Sequence, residues 1–276
     1  MKEKVPELPE VETIKNELLP HIVGRQVTDV TLFWEGIVRQ PSVEEFRSRI
    51  IGQEITSIAR RGKYLTFGLS SGDSLIIHLK MTGSLLLKSS STPTEKFIRA
   101  IIYLNNETAI FFRDPRKFGV MRLVKGDNSI VSKLGPEPLE PVFTPQVLAQ
   151  RLAKRKAPIK AILLDQHFIA GIGNMYADEA LFAARIHPLR LGESLSSEEI
   201  ERLHQAIQQV LRSAIGNKGA STDTYFRPSG EKGTAHFHFQ VAHRGGKTCP
   251  ICDTPIQRLP IRNRGSYFCS KCQPEL

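Results

Sequence analysis

Cys249, Cys252, Cys269 and Cys272 are the sharpest chemical signal in the chain, and they are its only cysteines. They form two CxxC pairs with 16 residues between them. Zn²⁺ takes four soft ligands in a tetrahedron, and each CxxC turn can set two sulfurs on one side of the metal. A redox dithiol needs only one such pair. A chain without a signal peptide is no setting for structural disulfides. The spacing therefore predicts one structural zinc with a closed four-thiolate shell. Three other segments carry reactive or charged residues with less specific spacing. Lys63 lies in Arg60-Arg61-Gly62-Lys63-Tyr64, which is either a solvated basic face or a set of polyanion contacts. Arg113-Asp114-Pro115-Arg116-Lys117-Phe118-Gly119 places three cations around an aromatic ring. Arg can hold phosphates and Phe can stack on a base, or the segment is a charged hairpin turn with Phe118 in the core. Gly171-Ile172-Gly173-Asn174 precedes a helix, where free N–H groups suit an anion such as a phosphate. An ordinary loop reads the same way.

The elements that must position these groups fall into two halves. Glu10 to Leu19 reads as a helix ending before Pro20. Strand-like runs follow at 27–33, 64–69, 74–79, 98–104, 109–113 and 120–123, broken by turn signals such as Ser71-Gly72-Asp73. Many short strands without alternating helices suggest a sandwich or barrel-like domain. The segment Gly135-Pro136-Glu137-Pro138-Leu139-Glu140-Pro141 can be neither a helix interior nor a central strand. It reads as a linker. Helices are expected from Thr144-Pro145 to Lys154, from Pro158 through Leu164 and over 174–185. Another should follow the capping box Ser196-x-x-Glu199, with Ile200, Leu203, Ile207, Val210 and Leu211 as its buried stripe. The tail from Gln240 reads as a small two-stranded zinc module. The expected domains are thus 1–134, a linker 135–143, a helical domain 144–239 and a zinc finger 240–276, an α+β chain overall.

Composition sets the partner class. Hydrophobic residues make up 40% and charged residues 24%, as in globular proteins. No apolar run is long enough to span a membrane, and no signal peptide is read at the start; the expected compartment is the cytoplasm. The net charge is +10, which favours a polyanionic partner: nucleic acid, an anionic membrane face or an acidic protein.

Taken in order, Pro6-Glu7-Leu8-Pro9-Glu10-Val11-Glu12, Lys63 before a strand, Pro115-Arg116-Lys117-Phe118-Gly119, Gly171-Ile172-Gly173-Asn174-x-Tyr176 and the four-cysteine tail are specific. The chain resembles the formamidopyrimidine-DNA glycosylase family over essentially its whole length. Endonuclease VIII enzymes share the architecture, but the opening motif is more similar to the oxidised-purine branch. The resemblance implies an N-terminal β-sandwich domain and a C-terminal helix–two-turn–helix domain with a zinc finger, acting as a monomer on double-stranded DNA between the halves. It implies excision of oxidised purines, such as 8-oxoguanine and formamidopyrimidines, and strand cleavage at the abasic site by β,δ-elimination. Pro6 matches the family's nucleophile, Glu7 its acid/base and Lys63 the lysine that assists base loss and elimination. Arg264 matches the arginine of δ-elimination. Arg116 and Arg155 match DNA contacts, and Asn174 and Lys160 phosphate ligands. Met81 matches a wedge that, with Arg116 and Phe118, fills the gap left by a flipped base.

Three features depart from the family pattern. Phe97 stands where the family has a phosphate-binding histidine, so that contact is lost or passes to Arg99. The lesion-reading loop, near 218–233, does not identify a preferred base. Met1-Lys2-Glu3-Lys4-Val5 precede Pro6. If they remain, the Pro6 nitrogen is a tertiary amide and cannot form an iminium. The expected start is Val5, read as Met from a GUG codon and then removed to free Pro6. The alternative is a catalytically silent DNA-damage-binding paralogue. A basic zinc-ribbon transcription module would explain only the tail.

Overall fold

Leu8, Val11, Ile14, Leu18 and Ile22 recur at helical spacing, and all are fully buried. They form the inner face of α1 (Leu8–Ile22). The helix runs through Pro20 rather than ending before it, because in the last turn the missing N–H costs a single bond. The computed structural model describes residues 6–126, 129–221 and 224–275. The chain divides into two compact units. The first runs through Ser132 and also contains Asn217–Thr234; the second contains Lys133–Gly216 and the segment from Ala235 onward.

In the first unit, β1 (Val27–Leu32), β2 (Val38–Gln40), α2 (Val43–Ile50), β3 (Ile55–Arg61), β4 (Tyr64–Leu69), β5 (Asp73–His78), β6 (Ser84–Ser89), β7 (Ile98–Leu104), β8 (Thr108–Arg113), β9 (Val120–Lys125) and the single turn α3 (Ser129–Ser132) follow one another. They make two sheets, ordered β1-β7-β8-β6 and β2-β9-β5-β4-β3. Val27, Ile102 and Phe112 from the first sheet meet Leu65, Phe67, Ile77 and Met121 from the second, with Val11, Ile14 and Leu18 of α1 in the same cluster. This is a β-sandwich closed by a helix. β4 shows the expected alternation of buried and partly buried residues. Sequence patterning missed β2, α2, α3, β3 and β6. β3 buries only Ile55 and Ile58, and β6 reads as a short uniform Leu run.

In the second unit, α4 (Pro145–Leu152), α5 (Ile159–Leu163), α6 (Asn174–Ala183) and α7 (Ser197–Gly216) precede the hairpin β10 (Gln257–Ile261) and β11 (Arg264–Phe268). The Ser196–Glu199 capping box forms, with Glu199 Oε2 accepting the Ser196 N–H at 2.9 Å and Ser196 Oγ accepting the Glu199 N–H at 3.3 Å. Residues 217–234, which sequence assigned to the helical domain, group with the first unit. The Arg227 guanidinium pairs with Glu17 of α1 at 2.7 Å, and the Pro228 carbonyl accepts the Leu87 N–H of β6 at 2.9 Å. The loop closes on itself where the Thr234 N–H meets the Asn217 carbonyl at 2.9 Å. Gly233 fits that neck because a Cβ there would lie 2.1 Å from the Lys218 carbonyl oxygen.

Candidate functional site

At the head of α1, Pro6 is buried and Glu7 is the N-cap, 2% exposed. Glu10 is fully buried one turn on, and both its oxygens are used. Oε2 accepts the Glu7 N–H at 2.7 Å, and Oε1 accepts the Ala220 N–H at 2.7 Å. The start of the helix and the 217–234 loop are thus joined by one carboxylate. Lys63 follows Gly62 (φ +56) in the two-residue turn between β3 and β4, where Arg61 pairs with Tyr64. Arg60 ties this turn to α1: Nε donates to Glu12 Oε2 at 2.7 Å and Nη1 to the Gly62 carbonyl at 3.1 Å. Burial alone would raise the Glu12 carboxyl, but the hydrogen bonds and charges of Lys15 and Arg60 hold it below its usual value.

His78 belongs to the same end and was not singled out by sequence. It pairs with Tyr64 across β4 and β5, and the two rings meet edge-on at 4.5 Å. Its Nδ1 accepts the Lys80 N–H at 2.9 Å, so the neutral ring carries its proton on Nε2. Burial, with the charges of Lys80, Lys63 and Arg122, pushes its pKa down to about 3. Only the strand register reveals that it shares an electrostatic environment with Lys63.

Met81, Arg116 and Phe118 are brought together. Arg116 Nη1 lies 3.4 Å from Met81 Sδ, and its guanidinium stacks 4.5 Å over the Phe118 ring. Phe118 is 42% exposed, which excludes it from the core. The organiser is Asp114, fully buried. Its carboxylate accepts the Phe118 and Gly119 N–H groups at 2.7 Å each and the Arg116 N–H at 3.1 Å. It also accepts the Thr82 hydroxyl, next to Met81. Gly83 and Gly119 both lie against the Phe112 ring, where a Cβ would come within 2.9 and 2.5 Å. Arg99 donates to the carbonyls of Asp114 (2.7 Å) and Pro115 (3.3 Å). Its guanidinium therefore braces the turn, and the expected transfer of a phosphate contact to Arg99 competes with two backbone bonds.

In the second unit, the Gly171-Ile172-Gly173 loop is held by Gln166, another residue that sequence did not flag. Gln166 Oε1 accepts the Gly171 N–H at 2.9 Å and Nε2 donates to the Ile172 carbonyl at 2.7 Å. Gly171 needs its freedom there, at φ +86. Asn174 opens α6 and donates Nδ2 to the Gly265 carbonyl at 2.9 Å, while its Oδ1 is buried without a hydrogen-bond partner among the described residues. Arg264, the neighbour of Gly265, follows a hairpin turn in which Arg262 (φ +47) and Asn263 (φ +60) are both left-handed. Asn174 and the Arg264 turn are thus adjacent. Arg155 is exposed, with its guanidinium 5.7 Å from the Phe168 ring. Lys160 departs from its expected place at a phosphate. It is fully buried, ion-paired with Asp178 and 3.4 Å from the Asn174 carbonyl. A buried ammonium with these partners supports the α6 N-terminus from behind. Burial raises the Asp178 carboxyl to about 7 against the opposing pull of Lys160.

The four cysteine sulfurs lie within 4.8 Å of one another. Cys249 and Cys272 are 3.8 Å apart, Cys252 and Cys269 3.4 Å, and Cys272 and Cys252 3.5 Å. Tetrahedral zinc with bonds of about 2.3 Å separates its sulfurs by about 3.8 Å, so the set fits that metal. The separations are far too long for disulfides. Buried Glu179 of α6 accepts the N–H groups of Val241 (2.9 Å), Ala242 (2.7 Å) and Gln240, anchoring the turn that enters this module.

Comparison with known proteins gives two family matches. Residues 5–121 match the formamidopyrimidine-DNA glycosylase N-terminal domain, and residues 134–225 match the formamidopyrimidine-DNA glycosylase H2TH domain. The chain is 45% identical to the formamidopyrimidine-DNA glycosylase of Chloroflexus aurantiacus, over 98% of each chain. It is 42% identical to that of Geobacillus kaustophilus, over 98% of this chain and 100% of the other. The crystal structure of MutM (Fpg) from Thermus thermophilus superposes with a TM-score of 0.88 at 37% identity, over 98% of this chain and 100% of that one. The Lactococcus lactis Fpg in complex with abasic-site DNA gives 0.91 at 33% identity, with the same coverage.

Proposed function

Because the chain belongs to the formamidopyrimidine-DNA glycosylase family, we propose that it excises oxidised purines, among them 8-oxoguanine and formamidopyrimidines, from double-stranded DNA and then cleaves the strand at the abasic site. The observation that carries this reading is the assembly around α1. Pro6 and the buried Glu7 carboxyl share the head of the helix, and the Arg60–Glu12 pair fastens the Lys63 turn to that helix. In this reading, the Pro6 nitrogen attacks C1′ of the damaged nucleotide. The glycosidic bond breaks and its electron pair leaves with the base. Glu7 supplies a proton to the base or to the ring oxygen as the sugar opens. The resulting iminium acidifies the C2′ proton. Loss of that proton expels the 3′ phosphate, and a second elimination expels the 5′ phosphate. Lys63 and Arg264 assist these losses. An N-terminal secondary amine suits the task, since an α-amino group has a pKa near 8 against about 10.4 for Lys.

The remaining residues act on the DNA. Met81, Arg116 and Phe118 supply an apolar wedge, a hydrogen-bonding fork and a stacking face for the gap left by the extruded base. Arg155 and Asn174 grip phosphates, and Lys160 buttresses Asn174. One zinc held by Cys249, Cys252, Cys269 and Cys272 fixes the hairpin carrying Arg264 and has no part in the chemistry. The Lactococcus lactis relative solved with Fapy-dG-containing DNA supports this substrate class.

Met1 to Val5 lie outside the described residues. If they stay attached, Pro6 has no free amine and the second reading applies, a protein that binds damaged sites without cutting. Borohydride trapping on oxidised DNA separates the two. Protein beginning at Pro6 should crosslink, and protein retaining Met1 to Val5 should bind without crosslinking. Equal trapping by both forms, with intact mass showing the extension in place, would make another amine the nucleophile, Lys63 first.

A further inference from the structure

Arg113, the last residue of β8, lies at a rung of the sheet that the proposed chemistry does not use. It pairs with Ser84 of β6 on one side and Ile98 of β7 on the other. Its guanidinium sits between two aromatic rings, 5.6 Å from the centroid of Phe97 and 5.4 Å from that of Phe226. Its Nη1 is buried and has no hydrogen-bond partner among the described residues. At Nη1 the guanidinium has exchanged water for the aromatic faces beside it. Phe97 is held by its backbone. It takes φ +77, an uncommon conformation for a bulky residue, and its carbonyl accepts the Asp114 N–H at 2.9 Å. Lys96 also lies near this ring, at 5.1 Å. Phe226 arrives from the 217–234 loop. It packs against the cluster of Leu86, Ile101 and Phe111, and its N–H donates to Ser84 Oγ at 3.3 Å. The Ser84 hydroxyl in turn donates to the Thr224 carbonyl at 3.2 Å.

The other end of the same loop reaches the head of α1. Ala220 donates to Glu10, which holds the Glu7 N–H through its second oxygen. Between the two anchors the loop is tied internally. Ser221 Oγ donates to the Tyr225 carbonyl at 2.9 Å, and the Tyr225 hydroxyl donates to the Lys218 carbonyl at 3.3 Å. A shift of Phe226 on the sheet is therefore passed along a short, bonded path to Glu10 and Glu7.

We propose that Phe97, Arg113 and Phe226 form a clamp that sets the 217–234 loop, and through Ala220 and Glu10 the Glu7 carboxyl, for the base-excision step. Arg113 is a positioning residue in this scheme. The proposal rests on the reading of Glu7 as the acid for the leaving base. At a preformed abasic site there is no base to protonate, so elimination there does not depend on the clamp.

The test is Arg113→Met, which keeps length and removes the charge, with Arg113→Lys as the conservative partner. Single-turnover rates are measured on duplex DNA carrying an oxidised purine and on duplex DNA carrying a preformed abasic site, using the form that traps with borohydride. Hydrogen exchange is followed at the amides of residues 224–230. Arg113→Met should slow excision roughly tenfold, leave abasic cleavage within about twofold and speed exchange in the loop; Arg113→Lys should recover part of the excision rate. Equal losses on both substrates, or unchanged loop exchange, would overturn the clamp. A wild-type protein inactive on both substrates would sink the functional reading, and the exchange data would still decide whether Arg113 holds the loop.

Discussion

His78 sits where one proton would add to an already cationic neighbourhood of Lys63, Lys80 and Arg122. The folded ring stays neutral down to about pH 3, whereas an unfolded histidine takes up its proton near pH 6.5. Between those values the unfolded chain holds the extra proton, so stability falls as the pH drops through that window. The ring is only partly buried, which limits the effect to about 2 kcal/mol between pH 7 and pH 4. His78→Asn keeps an acceptor for the Lys80 N–H and removes the titration. Urea unfolding at the two pH values should therefore show a smaller acid loss in the variant than in the wild type. An identical loss in both would mean that His78 does not titrate as its surroundings require. Neither His78 nor Asp114 stands out in the sequence for its role. A histidine in a strand and an aspartate in a turn are ordinary. Their importance comes from the β4–β5 register in one case and from three convergent N–H groups in the other.

At the scale of elements, legibility followed the range of the interactions. The four-cysteine site was readable because each CxxC turn is local; the Met81, Arg116 and Phe118 trio came from the family resemblance, since Met81 and Arg116 are 35 residues apart. The position of residues 217–234 was not, because Glu10, Glu17, Ser84 and Leu87, which hold them, are more than 120 residues away in sequence. Lys160 was carried over as a phosphate ligand by the family resemblance, and the structure shows it buried and paired with Asp178. Asp178 lies on the next helix, 18 residues on, so neither this pairing nor the burial of Lys160 was legible in the local sequence. The β10–β11 hairpin is too small to keep its shape by packing alone, so its metal should hold it. Metal analysis should give one zinc per chain. Cys269→Ser should lose that zinc, release the hairpin and with it the Asn174–Gly265 bond, and weaken DNA binding at least tenfold, leaving the β-sandwich signals in NMR spectra unchanged. Retention of one tightly bound zinc by this variant would remove Cys269 from the ligand set.

Across the whole molecule, the net charge of +10 predicts binding to DNA dominated by counterion release, with affinity falling steeply as salt rises. The structure sorts the cations that should set that slope from those that should not. Arg155 is exposed, and Arg116 stacks on an exposed ring at the Met81 turn. Arg155 should neutralise about one phosphate directly, and Arg116, as the fork in the gap, should carry one positive charge into the field of the flanking phosphates, so Arg155→Ala and Arg116→Ala should each lower the slope of log affinity against log salt by about one unit. Lys160 already spends its charge on Asp178. Lys160→Met should leave the slope unchanged and should instead destabilise the second unit by about 3–5 kcal/mol, since it strands a buried carboxyl. Met81→Ala should also leave the slope alone, because a thioether neutralises nothing, and should slow excision from intact duplex more than cleavage at a preformed abasic site. These are measured by titrating labelled abasic-site duplex at several salt concentrations, with unfolding curves on the same variants. A slope reduced by Lys160→Met as much as by Arg155→Ala would mean that the buried pair opens on binding and that Lys160 reaches a phosphate after all. Unchanged slopes in both arginine variants would move the DNA-binding surface elsewhere.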